Sequence, residues 1–140
     1  MRSVFQRVKS ASVDILDGEK YRSGEIGKGA MILVAVENGD TDDDAKWLAN
    51  KMAGMRVYED ADGKMNLSLK DVGGDALVVS QFTLFGNMRK GMRPSFNRSA
   101  HPDISIPPPN KKRMLSTSIL FLLSESFSVT ACLRSRSRRR

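Results

Sequence analysis

The chain has 140 residues and a single cysteine, Cys132, a length typical of one domain. One cysteine excludes an internal disulfide framework and a multi-cysteine zinc site. The formal net charge is +7, but residues 1–109 hold 15 basic and 15 acidic side chains, so the excess lies entirely in 110–140. No apolar run approaches the roughly 20 residues of a spanning helix. We therefore expect a cytoplasmic protein without a signal peptide or membrane segment.

The N-terminal quarter of the chain has the pattern of β-strands separated by turns. An Asp-Gly pair at 17–18 predicts that residues 2–22 form a long hairpin. Glycines at 24, 27 and 29 then interrupt the chain. The continuous apolar run at 30–36 is typical of a central strand that is covered on both faces.

One segment, residues 41–55, has helical periodicity. Thr41 is a good N-cap, and the aspartates at 42–44 favour the positive end of the helix dipole. Apolar side chains at 45, 48, 52 and 55 form a core-facing stripe. The three aspartates suggest a metal site as an alternative, but capping of the helix explains them better.

The remaining elements are predicted strands. We expect a short strand at 56–58, an Asp-Gly turn within 60–64, an alternating strand at 65–69 and an apolar strand at 76–84. One helix among five or six strands predicts an α+β domain with a mainly antiparallel, barrel-like sheet.

The most informative feature is the sequence Ser-Gln-Phe-Thr-Leu at 80–84, which closes the last of these strands. It places two hydroxyls and a carboxamide where a buried strand should reach the surface. The following residues, 87–100, contain four basic side chains and no acidic one. Together they indicate a site for an anionic, phosphate-bearing substrate. Ordinary hydrogen bonding at a strand end and a solvated surface turn are the plainer explanations of the two features.

Two familiar kinds of site are disfavoured. A serine-type triad needs a base, normally histidine, held by a carboxylate. The only histidine is His101, which precedes Pro102 in a predicted loop. The Gly-Lys-Gly sequence at 27–29 lacks the spacing and the following Ser or Thr of a phosphate-binding P-loop.

Five segments together resemble the D-aminoacyl-tRNA deacylase family. They are residues 1–8, 27–29, 62–69, 78–84 and 89–96. They follow the family's order and spacing, and the similarity covers the first hundred residues. The combination of Ser-Gln-Phe-Thr-Leu with Arg-Lys-Gly…Arg-Pro-Ser-Phe is far more specific than either motif alone.

This resemblance implies a homodimer of barrel-like α+β subunits. Such a protein hydrolyses the ester that joins a D-amino acid, or glycine, to the 3′-terminal adenosine of tRNA, with no metal or cofactor. The catalytic candidates that it implies are Ser80, Gln81, Phe82 and Thr83. The candidates for binding substrate or tRNA are Arg7, Lys28, Arg89, Lys90, Arg93, Ser95 and Phe96.

Two mechanisms remain open for this site. Either Thr83 is the nucleophile, or the 2′-hydroxyl of the substrate and main-chain groups perform the chemistry. We favour the second, because no base adjoins Thr83 in the sequence to activate it. Backbone N–H groups near Phe82 would then stabilise the developing oxyanion.

The resemblance stops where the composition changes, which divides the chain into a deacylase-like domain at 1–103 and an atypical Pro/Ser/Arg-rich tail at 104–140. The tail lacks the family's Asn-x-Pro-x-Thr element and its Gly/Phe-rich strand, since no glycine follows Gly91. We predict a poorly ordered tail that comes from a shifted reading frame, an alternative splice or a gene-model error. The missing strands predict poor solubility or activity and weak discrimination between D- and L-aminoacyl-tRNA.

Two other functions use the same scaffold. In one, the protein is a non-catalytic RNA- or DNA-binding protein that uses its Arg/Ser tail. In the other, it is a structural or interaction module whose pocket has lost its ligand. The first predicts that truncation after Pro109 abolishes nucleic-acid affinity, and the second predicts no effect of changes at Gln81 or Thr83 on any tRNA assay.

Overall fold

The computed structural model describes residues 1–17, 19–89, 91–100 and 129–132. Its strands are β1 (Arg2–Val8), β2 (Ala11–Asp17), β3 (Glu19–Ile26), β4 (Gly29–Ala35), β5 (Tyr58–Glu59), β6 (Met65–Leu67), β7 (Asp75–Ser80) and β8 (Val129–Cys132). Its helix is α1 (Asp42–Gly54), and a 3₁₀ turn spans Phe82–Phe85. No helix within the described ranges is both long and apolar enough to cross a membrane.

The central sheet has four strands in the order β1-β4-β7-β8. Strand β4 lies between an antiparallel partner, β1, and a parallel one, β7. Its residues are buried or half-buried along its whole length, as the apolar run at 30–36 predicts. Two antiparallel pairs, β2–β3 and β5–β6, complete the described strands. The α+β class with predominantly antiparallel pairing is confirmed, but the parallel β4–β7 pair at its centre was not foreseen.

The predicted hairpin at 2–22 is wrong in its first strand. Strand β1 pairs with β4, from Arg2 opposite Ala35 to Val8 opposite Gly29. The hairpin is formed by β2 and β3 on either side of position 18. A two-stranded hairpin is only marginally stable by itself. Pairing with β4 instead places β1 in the central sheet, where it covers the edge of β4 opposite β7.

The helix prediction is confirmed, and so is Thr41 as the N-cap. The Thr41 side chain accepts from the Asp44 amide, and the Asp44 carboxylate accepts from the Thr41 backbone and hydroxyl at 2.8 and 2.7 Å. These hydrogen bonds, the hydroxyl's first, hold the pKa of Asp44 below its ordinary value. Ala45, Leu48 and Met52 are buried with alternate residues of β4 and β7 in one core cluster, whereas Trp47 on the outer face is 65% exposed.

Gly29, within the Gly-Lys-Gly sequence, allows two strands of the sheet to approach closely. A Cβ on Gly29 would lie 2.0 Å from the Asp75 carbonyl oxygen on the neighbouring strand. The Asp75 amide donates to the Lys28 carbonyl at 3.2 Å, which closes this end of the strand pair. We call the Lys28–Asp75 end of the β4–β7 pair its closed end. The structure thus gives Gly29, the last residue of the Gly-Lys-Gly sequence, a packing role.

The last described strand belongs to the tail. Residues Val129–Cys132 pair in parallel with β7, from Ala76 opposite Val129 to Val79 opposite Cys132. No strand was predicted in this segment, but β8 occupies the second edge of β7. The rest of 104–140 lies outside the described residues, and so does His101. Poor order there stays a prediction.

Candidate functional site

The polar sequence at 80–84 leaves the sheet directly after β7. Ser80 is the last residue of that strand and lies opposite Val34 of β4. The Gln81 amide still donates to the Val34 carbonyl at 2.7 Å, and the chain then enters the 3₁₀ turn. The strand predicted for 76–84 therefore ends at Ser80. We call residues 80–86 the site turn, and the end of the β4–β7 pair at Ser80 its open end.

The site turn is folded by local hydrogen bonds and one buried ring. The Leu84 amide donates to the Gln81 carbonyl at 3.3 Å, and the Gly86 amide donates to the Thr83 carbonyl at 3.0 Å. Phe85 is only 2% exposed and anchors the turn in the core. A Cβ on Gly86 would lie 3.2 Å from both the Thr83 carbonyl oxygen and a Phe96 ring carbon, which favours glycine here.

The four catalytic candidates are consequently near or at the surface. Ser80 and Gln81 are half-buried, and Phe82 and Thr83 are exposed. The Gln81 carboxamide nitrogen donates to the Thr83 hydroxyl oxygen. Within the described residues, that carboxamide is the only side chain hydrogen-bonded to this hydroxyl, and an amide cannot remove its proton. The contact agrees with the argument that Thr83 lacks an activating base.

The second segment of the site, residues 87–96, is a basic loop that folds back on the turn. The Asn87 and Ser95 backbones exchange two hydrogen bonds of 2.9 Å, which close the loop. The Phe96 ring packs edge-on against Phe82 with centroids 5.4 Å apart. Arg89 and Arg93 on the loop are exposed. The structure therefore brings the basic loop beside the site turn, while Lys90 lies outside the described residues.

Two predicted binding residues lie at the other end of the sheet. Lys28 immediately precedes β4, and Arg7 is opposite Ala30, whereas Ser80 is opposite Val34. Four to six residues of strand at about 3.3 Å per residue separate these positions from the site turn, roughly 13 to 20 Å. Arg7 donates to the Val57 carbonyl at 2.7 Å and lies 3.9 Å from the Glu59 carboxylate.

Sequence reasoning missed Arg2 at the open end and gave Arg98, one of the four basic side chains at 87–100, no separate role. The Arg2 guanidinium donates to the Leu84 carbonyl at 3.1 Å and lies 5.0 Å from the centre of the Phe85 ring. Arg98 lies 5.8 Å from the same ring and forms an ion pair with Glu37 at 2.6 Å. Only the β1–β4 register, which places Arg2 opposite Ala35, could have revealed this position, and no local pattern encodes that register.

Comparisons with known proteins identify the family. The family model described as D-Tyr-tRNA(Tyr) deacylase matches residues 4–111, which include the site turn and the basic loop. This chain belongs to that family. The match agrees with the resemblance found in the sequence and extends past residue 103.

Curated relatives give the same result. D-aminoacyl-tRNA deacylase of Akkermansia muciniphila is 53% identical over 107 residues, which are 76% of this chain and 69% of the relative. The enzyme of Thermotoga petrophila is 52% identical over 103 residues, 74% and 67% of the two chains. That of Geobacter sulfurreducens is 55% identical over 103 residues, 74% and 66%. The matched region thus spans about two thirds of each relative's length.

Solved structures confirm the fold. A c-Myc DNA Unwinding Element Binding Protein superposes with a TM-score of 0.75 at 27% identity, covering 94% of this chain and 83% of that one. A probable eukaryotic D-amino acid tRNA deacylase superposes with a TM-score of 0.71 at 16% identity, covering 89% and 67%. Because this second protein is only 16% identical to the chain, its likeness supports the fold alone.

Proposed function

We propose that this protein hydrolyses D-aminoacyl-tRNA, releasing the D-amino acid as a proofreading step in translation. Glycine mischarged on tRNA is a second substrate. One observation carries the proposal: the site turn puts the Gln81, Phe82 and Thr83 groups at the surface, beside a basic loop, in a family whose members are named deacylases. The aminoacylated end of a tRNA suits this site. Its ester carbonyl can accept hydrogen bonds from the site turn, and its anionic phosphates can pair with the basic loop.

In this reaction, water adds to the ester carbonyl and the bond from that carbon to the 3′-oxygen breaks. The products are the free amino acid and a tRNA with its 3′-hydroxyl restored, and the proton of the water passes to the leaving oxygen. Main-chain N–H groups near Phe82 stabilise the negative charge that develops on the carbonyl oxygen. The 2′-hydroxyl of the terminal ribose assists the transfer, since Thr83 has no base to activate it.

The side chains of the site turn then have positioning roles. Because its nitrogen donates to the Thr83 hydroxyl, Gln81 orients that hydroxyl toward the substrate. Ser80 lies at the base of the turn, where β7 ends. The exposed ring of Phe82, which packs against Phe96, offers an apolar surface to the adenosine.

Transfer RNA is the macromolecular partner in this proposal. Arg89, Lys90 and Arg93 approach phosphates of the acceptor end, and Ser95 closes the loop that carries them. Lys28 and Arg7 lie too far from the site turn to meet the same phosphates and would contact a more distant part of the tRNA. We further propose that the protein acts as a homodimer in the cytoplasm, which sedimentation and fractionation would test.

The altered tail limits selectivity more than hydrolysis in this account. The β8 strand covers the edge of β7, so the sheet behind the site turn is not left open. The sequence lacks the Asn-x-Pro-x-Thr element that the resemblance to the family leads us to expect beside the pocket for the amino acid. We therefore expect a smaller preference for D- over L-aminoacyl-tRNA than the relatives of full length would show.

A non-catalytic nucleic-acid-binding role is the second candidate. One structural neighbour, a c-Myc DNA Unwinding Element Binding Protein, supports it by its name. This neighbour is 27% identical to the chain, whereas the three relatives named D-aminoacyl-tRNA deacylase are 52 to 55% identical. The hydrolase is therefore favoured. A chain truncated after Pro109 should lose nucleic-acid affinity only if the tail is the binding element.

The direct test is release of radiolabelled tyrosine from D-tyrosyl-tRNA and L-tyrosyl-tRNA by the purified protein. We expect release from the D-substrate well above spontaneous hydrolysis and a loss of that release in Gln81→Ala. Lys64→Ala is the control, because Lys64 is exposed in the β5–β6 turn. This variant should hydrolyse the substrate at the wild-type rate. A wild-type rate equal to the spontaneous one for both substrates would overturn the proposed activity.

A further inference from the structure

Every carbonyl of the site turn from Gln81 to Leu84 accepts a hydrogen bond. Two of the donors are local amides, those of Leu84 and Gly86. The Phe82 and Leu84 carbonyls each accept from a side chain elsewhere in the chain. The Ser99 hydroxyl donates to the Phe82 carbonyl at 2.8 Å, and Arg2 donates to the Leu84 carbonyl at 3.1 Å. The orientation of the turn is therefore determined from outside as well as from within.

Ser99 is itself held against the central sheet. It forms an antiparallel bridge with Glu37, just beyond the end of β4. On one side, the Ala100 amide donates to the Val36 carbonyl at 2.9 Å. On the other, Arg98 pairs with Glu37 at 2.6 Å through its Nε and Nη2 atoms. The Ser99 hydroxyl thus connects the site turn to the segment that follows the end of β4.

The consequence lies in the planarity of the peptide group. The Phe82 carbonyl and the Thr83 N–H belong to one peptide plane and point in opposite directions. A donor that fixes the carbonyl also fixes the direction of the N–H. The 3₁₀ turn restrains this peptide plane from within, and the Ser99 hydroxyl adds a hydrogen bond from outside the turn. Among the described side chains, only that of Ser99 bonds to this carbonyl.

We propose that Ser99 is a positioning residue for the deacylase site: its hydroxyl sets the orientation of the Phe82–Thr83 peptide and, through it, of the Thr83 N–H and side chain. The inference rests on the proposed function, because it assigns a role within the same site. Ser99 lies outside the Ser-Gln-Phe-Thr-Leu motif. In the proposed mechanism it does not contact the substrate.

The test compares Ser99→Ala with Ser99→Thr and Ser68→Ala. Threonine keeps the hydroxyl. Ser68→Ala is the matched control, because it also removes a serine hydroxyl, one that donates to Asp71 at 2.6 Å near the closed end. Two readouts are needed: the ¹⁵N–¹H shift and hydrogen exchange of the Thr83 amide, and kcat and KM for D-tyrosyl-tRNA at a temperature where all variants are folded.

We expect Ser99→Ala to lower kcat by about tenfold, with a smaller change in KM, and to shift the Thr83 amide resonance. Ser99→Thr should restore both, and Ser68→Ala should change neither. The proposal fails if kcat in Ser99→Ala stays within twofold of wild type, if kcat falls equally in Ser68→Ala, or if the Thr83 amide does not respond.

Failure of the proposed function would be seen separately, as an absence of deacylation by the wild-type protein. The amide readout would still decide the positioning step in that case. A shift of the Thr83 amide in Ser99→Ala but not in Ser68→Ala supports the orienting role. An unchanged resonance overturns it.

Discussion

The two ends of the β4–β7 strand pair show opposite uses of the same backbone. At the closed end, Gly29 lets the Asp75 backbone approach so closely that a Cβ would lie 2.0 Å from a carbonyl oxygen. At the open end, the strands separate after Ser80, and the site turn exposes Phe82 and Thr83. The contrast shows that this sheet is closed by backbone packing at one end and leaves hydrogen-bonding groups available at the other. Gly29 therefore has a packing role, and the proposed chemistry belongs to the Ser-Gln-Phe-Thr-Leu motif.

The largest effect is expected for Gly29→Ala, which tests the close backbone packing at the closed end. The added Cβ meets backbone, which cannot move aside without separating the strands. We expect a loss of at least about 3 kcal/mol in the free energy of unfolding, measured by urea denaturation. Gly27→Ala is the matched control, because nothing lies within 4 Å of its added Cβ. Equal stability of the two variants would show that the closed end is not tightly packed.

A second variant tests the open end, where the effect should be on catalysis. Thr83→Ala should lower kcat by about tenfold or less and leave the free energy of unfolding nearly unchanged, since the side chain is exposed. Loss of a true nucleophile would instead lower kcat by about 10⁴-fold or more. Single-turnover deacylation of D-tyrosyl-tRNA separates the two mechanisms, and the larger loss would return Thr83 to the nucleophile role.

The charges at the two ends should also behave differently toward tRNA. Arg93→Gln removes an exposed cation beside the site turn, and we expect it to reduce the slope of log K against log salt concentration by about 1. Lys28→Gln makes the same change in charge at the closed end. A filter-binding titration at several salt concentrations measures both slopes. A larger effect at Lys28 than at Arg93 would mean that the acceptor end does not lie over the basic loop.

The smallest effect concerns pH and the closed end. Hydrogen bonds from Ser68, first from its hydroxyl and then from its backbone amide, lower the pKa of Asp71. The unfolded chain therefore binds this proton more readily. The stability that the Asp71 carboxylate contributes is complete above its unfolded-state pKa of about 3.9. It is lost as the pH falls through the lower pKa of the folded state.

Asp71→Asn should consequently make the acid limb of stability against pH shallower, as measured by thermal unfolding between pH 2 and 6. Ser68→Ala should change the limb in the same direction, because it removes the hydroxyl that is the first cause of the shift. A steeper acid limb in either variant would contradict the assignment.

Local features of the sequence predicted much of this structure. Helix α1 follows from Thr41, the first-turn aspartates and the apolar stripe, all within a few residues of one another. Strand β4 follows from its continuous apolar run. The exit of the chain at Ser80 follows from polar residues after an apolar strand, although the 3₁₀ conformation beyond it was not predicted.

The long-range features could not be predicted in this way. The parallel pairing of β4 with β7 separates Lys28 from the site turn, and the pairing of β1 with β4 brings Arg2 to it. Both depend on strand register, which is set by the whole sheet and not by neighbours in the sequence. The same reason hid Ser99, whose partner Phe82 lies 17 residues earlier in the chain.

The most direct test of the account is to map which end of the strand pair binds the substrate. A non-hydrolysable 3′-(D-tyrosylamino)-3′-deoxyadenosine, titrated into ¹⁵N-labelled protein, reports binding without requiring catalysis. We expect the largest amide shifts at Gln81, Phe82 and Thr83, and none at Lys28 or Gly29. Shifts centred on the closed end, with the site turn unaffected, would contradict the claim that the open end of the sheet is the deacylase site.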